Sequence, residues 1–140
     1  MAEANNLKKP ILTGAEPQLF VADIQASCDF FTRVLGFEVA FTYGEPPFYA
    51  QVFRDAARLN LRHVDASPFA GAVREREDLL SAVITLNSVD GIQALFDEVR
   101  GSGAPLHQGL RLEPWGTHTF IVKDPDGNLL LFAGPAAQKA

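Results

Sequence analysis

The sequence is poor in cysteine, has no long apolar run and carries no excess of positive charge. Its single cysteine, Cys28, cannot form a disulfide within the chain, so the fold requires no oxidising compartment. No apolar stretch approaches the roughly 20 residues that a membrane-spanning helix needs. The basic side chains number 12 and the acidic ones 17, and the formal net charge of −5 argues against nucleic acid as a partner. We therefore expect a cytoplasmic protein that binds neither membranes nor nucleic acid.

The chain also lacks the short motifs that identify many enzyme classes. It has no glycine-rich phosphate loop and no Gly-x-Ser-x-Gly nucleophile elbow. Cys28 lies on the apolar stripe of a predicted helix, where a small buried side chain is more typical than a nucleophile. Asp124 and Asp126 are neighbouring carboxylates, but they lie in a DPDGN segment that is typical of turns. These patterns predict no catalytic residue.

The chain does contain enough apolar material for one domain. Apolar residues make up 47% of the 140 positions, and their spacing predicts regular elements between two loose tails at 1–14 and 134–140. In the first half the predicted elements are a strand at 19–21, a helix at 24–35 and strands at 37–43, 48–53 and 59–63. Asp23 can cap the helix and Gly36 can end it, and a turn at 55–58 joins the last two strands. In the second strand we expect one face to carry Phe37, Val39, Phe41 and Tyr43.

The second half repeats this order after a linker at 64–78, whose charged run at 74–78 we expect to be solvated. The predicted elements are a strand at 82–86, a helix from Ser88 to Gly101, and strands at 106–112, 117–123 and 129–132. A shift of 65 positions superimposes the caps, the apolar stripes and the terminating glycines, pairing Asp23 with Ser88, Phe31 with Phe96, and Gly36 with Gly101. Because all three features coincide at one offset, we infer a duplicated strand-helix-strand-strand-strand module.

This layout, together with two local motifs, resembles the vicinal oxygen chelate superfamily of glyoxalases, bleomycin-resistance proteins and extradiol dioxygenases. The first motif extends from Val21-Ala22-Asp23-Ile24 to Leu35-Gly36-Phe37, and the second from Trp115-Gly116 to the DPDGN turn. The resemblance covers about residues 16–133. It implies an α+β fold with one domain at 15–133, in which βαβββ modules at 15–63 and 79–133 form half-barrels. The half-barrels close around a cavity, either within one chain or between two.

The resemblance also implies where a metal would be held. Metal-dependent members take ligands from the first, fifth and last strands, and these positions correspond to Glu16, Ser81 and Leu131 here. Leucine has no donor atom and a serine hydroxyl is a poor ligand, which leaves Glu16 alone. The three histidines, His63, His107 and His118, show no metal-binding spacing; only His118 falls in the closing hairpin near the pocket, and we expect all three to be surface or edge side chains. The chain is thus most similar to the metal-free bleomycin-resistance branch, and we predict neither a metal nor a cofactor.

On the implied fold, strand parity separates pocket residues from core residues. Pro17, Leu19 and Val21 are expected toward the helix, which places their neighbours on the cavity side. The predicted ligand-binding residues are Glu16, Gln18, Phe20, Phe41, Tyr43, Phe48, Asn60, Arg62, Ser81, Trp115, Thr119, Ile121 and Leu131. This mixture of rings and polar groups suits a flat aromatic or amphipathic small molecule.

Three functions remain open on the sequence. The leading one is a metal-free protein that sequesters a small molecule, for example an antibiotic, in cavities at a homodimer interface. The alternative is a metal-dependent lyase, isomerase or dioxygenase whose ligands are displaced by a one-residue register slip, since such a slip moves side chains to the other face. The third is metal-free catalysis with Glu16 as general base in an apolar pocket.

Overall fold

The computed structural model describes residues 9–67 and 72–135, and its elements follow the duplicated order. The first module consists of β1 (Gln18–Val21), α1 (Ile24–Arg33), β2 (Glu38–Tyr43), β3 (Tyr49–Arg54) and β4 (Ala57–His63). The linker contains a one-turn helix, α2 (Val73–Arg76). The second module consists of β5 (Ala82–Thr85), α3 (Val89–Gly101), β6 (Leu106–Leu112), β7 (His118–Lys123) and β8 (Leu129–Gly134). Most of both predicted tails lies outside the described residues.

Each module forms its own four-stranded mixed sheet. The strand orders are β1-β4-β3-β2 and β5-β8-β7-β6, so the two sheets have the same topology. In each sheet the first strand pairs in parallel with the last strand of its module, and the other pairs are antiparallel. The predicted α+β fold of two βαβββ modules is therefore confirmed.

Both long helices begin at the predicted caps. The Asp23 carboxylate accepts a hydrogen bond from the backbone N–H of Ala26 at 2.9 Å, and the Ser88 hydroxyl accepts one from Gly91 at 2.9 Å. These bonds satisfy N–H groups that the first helical turn leaves without a partner. After α1, Gly36 adopts a φ of +71°, a left-handed conformation that glycine takes without steric cost. The ends of the helices are thus encoded locally.

The core lies between each helix and one face of its sheet. In the first module Leu19 and Leu61 pack with Phe31 of α1, and in the second Val122 and Phe132 pack with Ile92 and Val99 of α3. Cys28 belongs to this core, and its burial raises the pKa of its thiol. The structural role predicted for Cys28 agrees with this position.

The second strand departs from the predicted alternation. A β-bulge between Val39 and Phe41 pairs Val39 with Val52 and Phe41 with Gln51. Because the bulge adds one residue to β2, the two side chains lie on opposite faces, and the expectation that they share a face is wrong. Two smaller differences are the turn between β3 and β4, which contains only Asp55 and Ala56, and β8, which continues to Gly134.

The charged run of the linker was expected to be solvated, but several of its side chains contact the second sheet. Glu75 accepts a hydrogen bond from Lys123 of β7 at 2.5 Å, and Asp78 lies 2.7 Å from His107 of β6. Arg74 donates to the side chain of Asn128 at 3.0 Å. These contacts attach the linker to the second sheet, because its charged side chains bind the ammonium group of Lys123, the imidazole of His107 and the amide of Asn128. Residues 68–71 of the linker lie outside the described residues.

The DPDGN turn connects the two modules. Within the turn, Asp124 Oδ1 accepts hydrogen bonds from the backbone N–H groups of Asp126 and Asn128. Across the modules, Asp126 Oδ1 accepts from the backbone N–H of Ala22 at 2.8 Å, and Asn128 Nδ2 donates to the carbonyl of Phe20 at 3.1 Å. The expected structural role of this turn therefore includes the joining of the two halves.

Candidate ligand-binding face

The face of the first sheet that points away from α1 is open, and we call it the first open face. Paired residues on neighbouring strands project to the same side, so the register assigns its side chains to three rows. The amide row is Gln18, Asn60, Gln51 and Phe41; the aromatic row is Phe20, Arg62, Tyr49 and Tyr43; and the mixed row is Arg58, Phe53 and Glu38. None of these side chains is buried, whereas Leu19, Leu61 and Val52 on the opposite face are.

Aromatic rings cover the β2 side of this face. The rings of Phe41 and Tyr49 are stacked, with centroids 6.4 Å apart and an interplanar angle of 21°. Tyr43 meets Phe48 edge-to-face at 5.5 Å. Phe41 is 46% exposed and Tyr43 66%. Exposed rings that already stack on one another offer a flat apolar surface to a planar molecule.

Beside the rings, a chain of hydrogen bonds holds the amides in fixed orientations. Gln51 Nε2 donates to Asn60 Oδ1 at 2.9 Å and to Glu16 Oε1 at 3.2 Å, and Gln51 Oε1 accepts from Arg58 at 3.2 Å. The Tyr49 hydroxyl donates to Gln18 Oε1 at 3.2 Å. Of the predicted residues, four lie together on this face by register, namely Gln18, Phe20, Asn60 and Arg62, and Glu16 contacts the face through Gln51.

The rows are completed by four residues that the sequence patterns did not predict: Tyr49, Gln51, Phe53 and Arg58. A signal for them existed in the two-residue turn at Asp55 and Ala56. A short hairpin turn determines which residues of its two strands face each other. With a two-residue turn, Asn60 pairs with Gln51 and Arg62 pairs with Tyr49. The longer turn predicted at 55–58 concealed that register.

Two predicted aromatic residues, Phe48 and Trp115, lie outside the strands, although Phe48 was expected to begin the third one. Phe48 precedes β3 and reaches the first open face through its contact with Tyr43. Trp115 lies between β6 and β7 and is 70% exposed.

The corresponding side of the second sheet, the second open face, is more apolar. Its register aligns Val83, Leu131, Ile121 and Gln108 in one row, and Ala133, Thr119 and Arg111 in the next. Thr119 and Ile121 are buried here, each 3% exposed, and Gln108 donates to the Thr119 hydroxyl at 3.0 Å. Predicted residues of the two modules therefore lie on two separate sheets.

The positions that correspond to metal ligands carry a poor donor set. Glu16 is exposed and accepts from Gln51, while the Ser81 hydroxyl donates to Asn128 Oδ1 at 3.1 Å. Leu131 offers no donor atom. Across residues 9–67 and 72–135, no three His, Cys, Asp or Glu side chains come together in an arrangement that could hold a metal ion. These residues do not fit a metal centre of three protein ligands.

The histidines serve other contacts. His118 lies on β7 on the same side as Phe120, the core side of the second sheet, and is half-buried rather than a surface side chain. Successive side chains on a strand point to opposite faces, so Thr119, the next residue, points to the second open face. His63 contacts Asp65 at 3.0 Å and the carbonyl of Ala22 at 2.8 Å.

A separate cleft of about 470 Å³ lies between the modules. It is bounded by the end of α1, the β3–β4 turn and α3, with Leu35, Leu95 and Phe132 among its lining residues. Arg54 and Glu98 cross it as an ion pair of 2.7 Å, and hydrogen bonding to Arg54 lowers the pKa of Glu98.

A family model for the glyoxalase/bleomycin resistance protein/dioxygenase superfamily matches residues 14–132. The chain belongs to this superfamily. The duplicated βαβββ architecture is therefore that of this superfamily, as the motifs predicted. Among curated proteins, none matches the chain in sequence.

Solved structures with the superfamily fold include two that contain bleomycin. A bleomycin-binding protein from Streptomyces verticillus, complexed with copper(II)-bleomycin, is 25% identical with a TM-score of 0.67, covering 93% of this chain and 100% of its own. Another bleomycin-binding protein, complexed with bleomycin, is 21% identical with a TM-score of 0.70, covering 89% and 99%. The fosfomycin resistance protein FosX from Listeria monocytogenes is 10% identical with a TM-score of 0.67, covering 91% and 96%.

None of the helices in the described part of the chain is long and apolar enough to cross a membrane.

Proposed function

We propose that this protein is a metal-free small-molecule binding protein that sequesters an aromatic or amphipathic compound, such as an antibiotic, without chemical conversion. The observation that carries the proposal is the exposed surface of stacked rings and oriented amides on the first open face. Rings supply apolar contact area, and amides fixed by their neighbours supply directed hydrogen bonds at little entropic cost.

The donor set at the metal positions supports binding rather than metal-dependent catalysis. A leucine and a serine that is already hydrogen-bonded to Asn128 stand where metal-dependent members carry ligands. Glu16 accepts a hydrogen bond from the Gln51 amide, so it lies among polar groups rather than in the apolar surroundings that the general-base hypothesis requires. The similarity to bleomycin-binding proteins points in the same direction.

We propose further that two chains pair to enclose the ligand. The β2 strand is exposed along its whole length, and a contiguous aromatic surface of this kind is typical of a binding site or an interface. The second open face of a partner chain would provide the other wall, with Val83 and Leu131 as apolar contacts. Such a cavity would exclude water from both sides of a planar ligand.

Isothermal titration with bleomycin and with planar aromatic probes tests the proposal on protein whose dimeric state is checked by sedimentation. We expect saturable binding, and Phe41→Ala should weaken it roughly tenfold because a stacking surface is lost. Leu112→Ala is the matched control, since Leu112 is 62% exposed and pairs with His118 on the other side of the second sheet.

Two results would contradict this function. Absence of binding to every probe by folded, dimeric protein would overturn the sequestration role. Stoichiometric metal in the purified protein, together with turnover, would favour the metal-dependent lyase, isomerase or dioxygenase instead.

A further inference from the structure

Charge is distributed unevenly over the first open face. In the mixed row, Arg58 pairs with Phe53 across β3 and β4, and its guanidinium lies 5.2 Å from the centroid of the Phe53 ring. The Arg58 guanidinium also donates a hydrogen bond to the side-chain amide oxygen, Oε1, of Gln51. Glu16 and Glu38 belong to this end of the face as well, so it carries charges of both signs.

The aromatic row has a different character. Arg62 is its one charged residue, and its cross-strand neighbours are Phe20 on β1 and Tyr49 on β3. Among the residues that the structure describes, the Arg62 side chain is exposed and its guanidinium makes no hydrogen bond, ion pair or ring contact. An arginine that is left unpaired between aromatic side chains has all its N–H donors available.

The spacing of the rows separates Arg62 from the carboxylates. Residues two apart on a strand are about 7 Å apart, so Arg62 lies roughly 13 Å along β4 from Arg58 and its acidic neighbours. The amide row lies between, and Gln51 Nε2 is already occupied by Asn60 and Glu16. The face thus has a cationic aromatic end, a neutral middle and an end of mixed charge.

We infer that Arg62 determines ligand specificity by pairing with an anionic group, such as a carboxylate, attached to a planar aromatic ligand. This inference rests on the proposed function and names the class of ligand for that site. The guanidinium matches a planar oxyanion with two parallel N–H donors, while the rings of Tyr49 and Phe41 receive the aromatic part. Enclosure of the face removes water and strengthens this attraction.

The test compares two probes with the same ring, 2-naphthoate and protonated 2-naphthylmethylamine, titrated into the full-length protein at fixed ionic strength. We expect the anion to bind at least about tenfold more tightly than the cation. In Arg62→Gln this preference should disappear, chiefly through weaker binding of 2-naphthoate. Arg33→Gln is the control, because it removes one positive charge from an exposed position on α1, outside the face.

The outcomes distinguish the inference from the function beneath it. Equal binding of the two probes, or tighter binding of the cation, would overturn the role of Arg62 and leave sequestration intact. Loss of the preference in Arg33→Gln as well would also overturn it, since the effect would then come from net charge. If Arg62→Gln alters the sedimentation of the protein but not the preference, Arg62 serves the interface between chains and the inference is wrong. Failure of both probes to bind would contradict the proposed function itself.

Discussion

At the scale of single residues, Asp124 is a carboxyl group that is almost completely buried, 3% exposed, in the closing turn. Burial raises its pKa from 3.8 to about 6, although hydrogen bonds from Asn128 and Asp126 act in the opposite direction. A raised carboxyl pKa means that the folded state binds its proton more tightly than the unfolded state does. Its stabilising contribution is therefore complete below pH 3.8 and is lost as the pH rises through 6.

Replacement of Asp124 by asparagine removes this titration. We expect the free energy of unfolding of the native protein, measured relative to that of Asp124→Asn, to fall by up to about 3 kcal/mol between pH 4 and pH 7. This figure follows because each pKa unit corresponds to roughly 1.4 kcal/mol. Urea unfolding of both proteins across this range measures the difference, and the subtraction cancels the other carboxyl groups. The prediction is wrong if the native protein does not lose stability relative to Asp124→Asn as the pH rises from 4 to 7.

At the scale of elements, each long helix depends on one side-chain cap, and the two caps occupy corresponding positions. We expect Asp23→Ala to lower the free energy of unfolding by about 1 kcal/mol, because the N–H of Ala26 loses its acceptor. Asp23→Asn retains an acceptor and should cost only a few tenths of a kcal/mol. Ser88→Ala tests the same bond in the second module. If Asp23→Asn is as damaging as Asp23→Ala, the charge rather than the hydrogen bond supports the helix.

The same scale shows how far local patterns predict the site. Asp23, Ser88 and Gly36 act within a few residues of their own positions, so their roles can be predicted from sequence. The bulge in β2 depends instead on how that strand pairs with β3, and no local pattern marked it. Tyr49 and Gln51 were missed for a related reason, because their side of the sheet follows from the register of a two-residue turn.

At the scale of the whole molecule, two kinds of contact join the modules. Asn128 is 2% exposed and connects the closing turn to the carbonyl of Phe20, while Arg54 and Glu98 form an ion pair with side chains 33% and 45% exposed. Loss of a buried hydrogen-bonding group leaves its partners unsatisfied, whereas solvent weakens an exposed ion pair.

We therefore expect Asn128→Ala to lower the free energy of unfolding by about 3 kcal/mol, since Phe20, Asp124 and Ser81 each lose a hydrogen-bonding partner. Glu98→Gln should cost less than about 1 kcal/mol and leave the bond from Arg54 to the Leu35 carbonyl in place. Equilibrium unfolding in urea compares the two variants. Equal losses would show that the exposed ion pair contributes more to the joining of the modules than its exposure predicts.

The sequence by itself determined the two modules, the helix caps, the core stripes and the superfamily, because these follow from periodicity and from residues that act on their near neighbours. It also placed Gln18, Asn60 and Arg62 on the side opposite the core, since parity along a strand needs no partner. Only the tertiary structure decided the pairing of strands, the burial of Thr119 and Ile121, and the isolation of Arg62 among aromatic rings. These features depend on residues far apart in the chain, and their energies arise only when the strands meet.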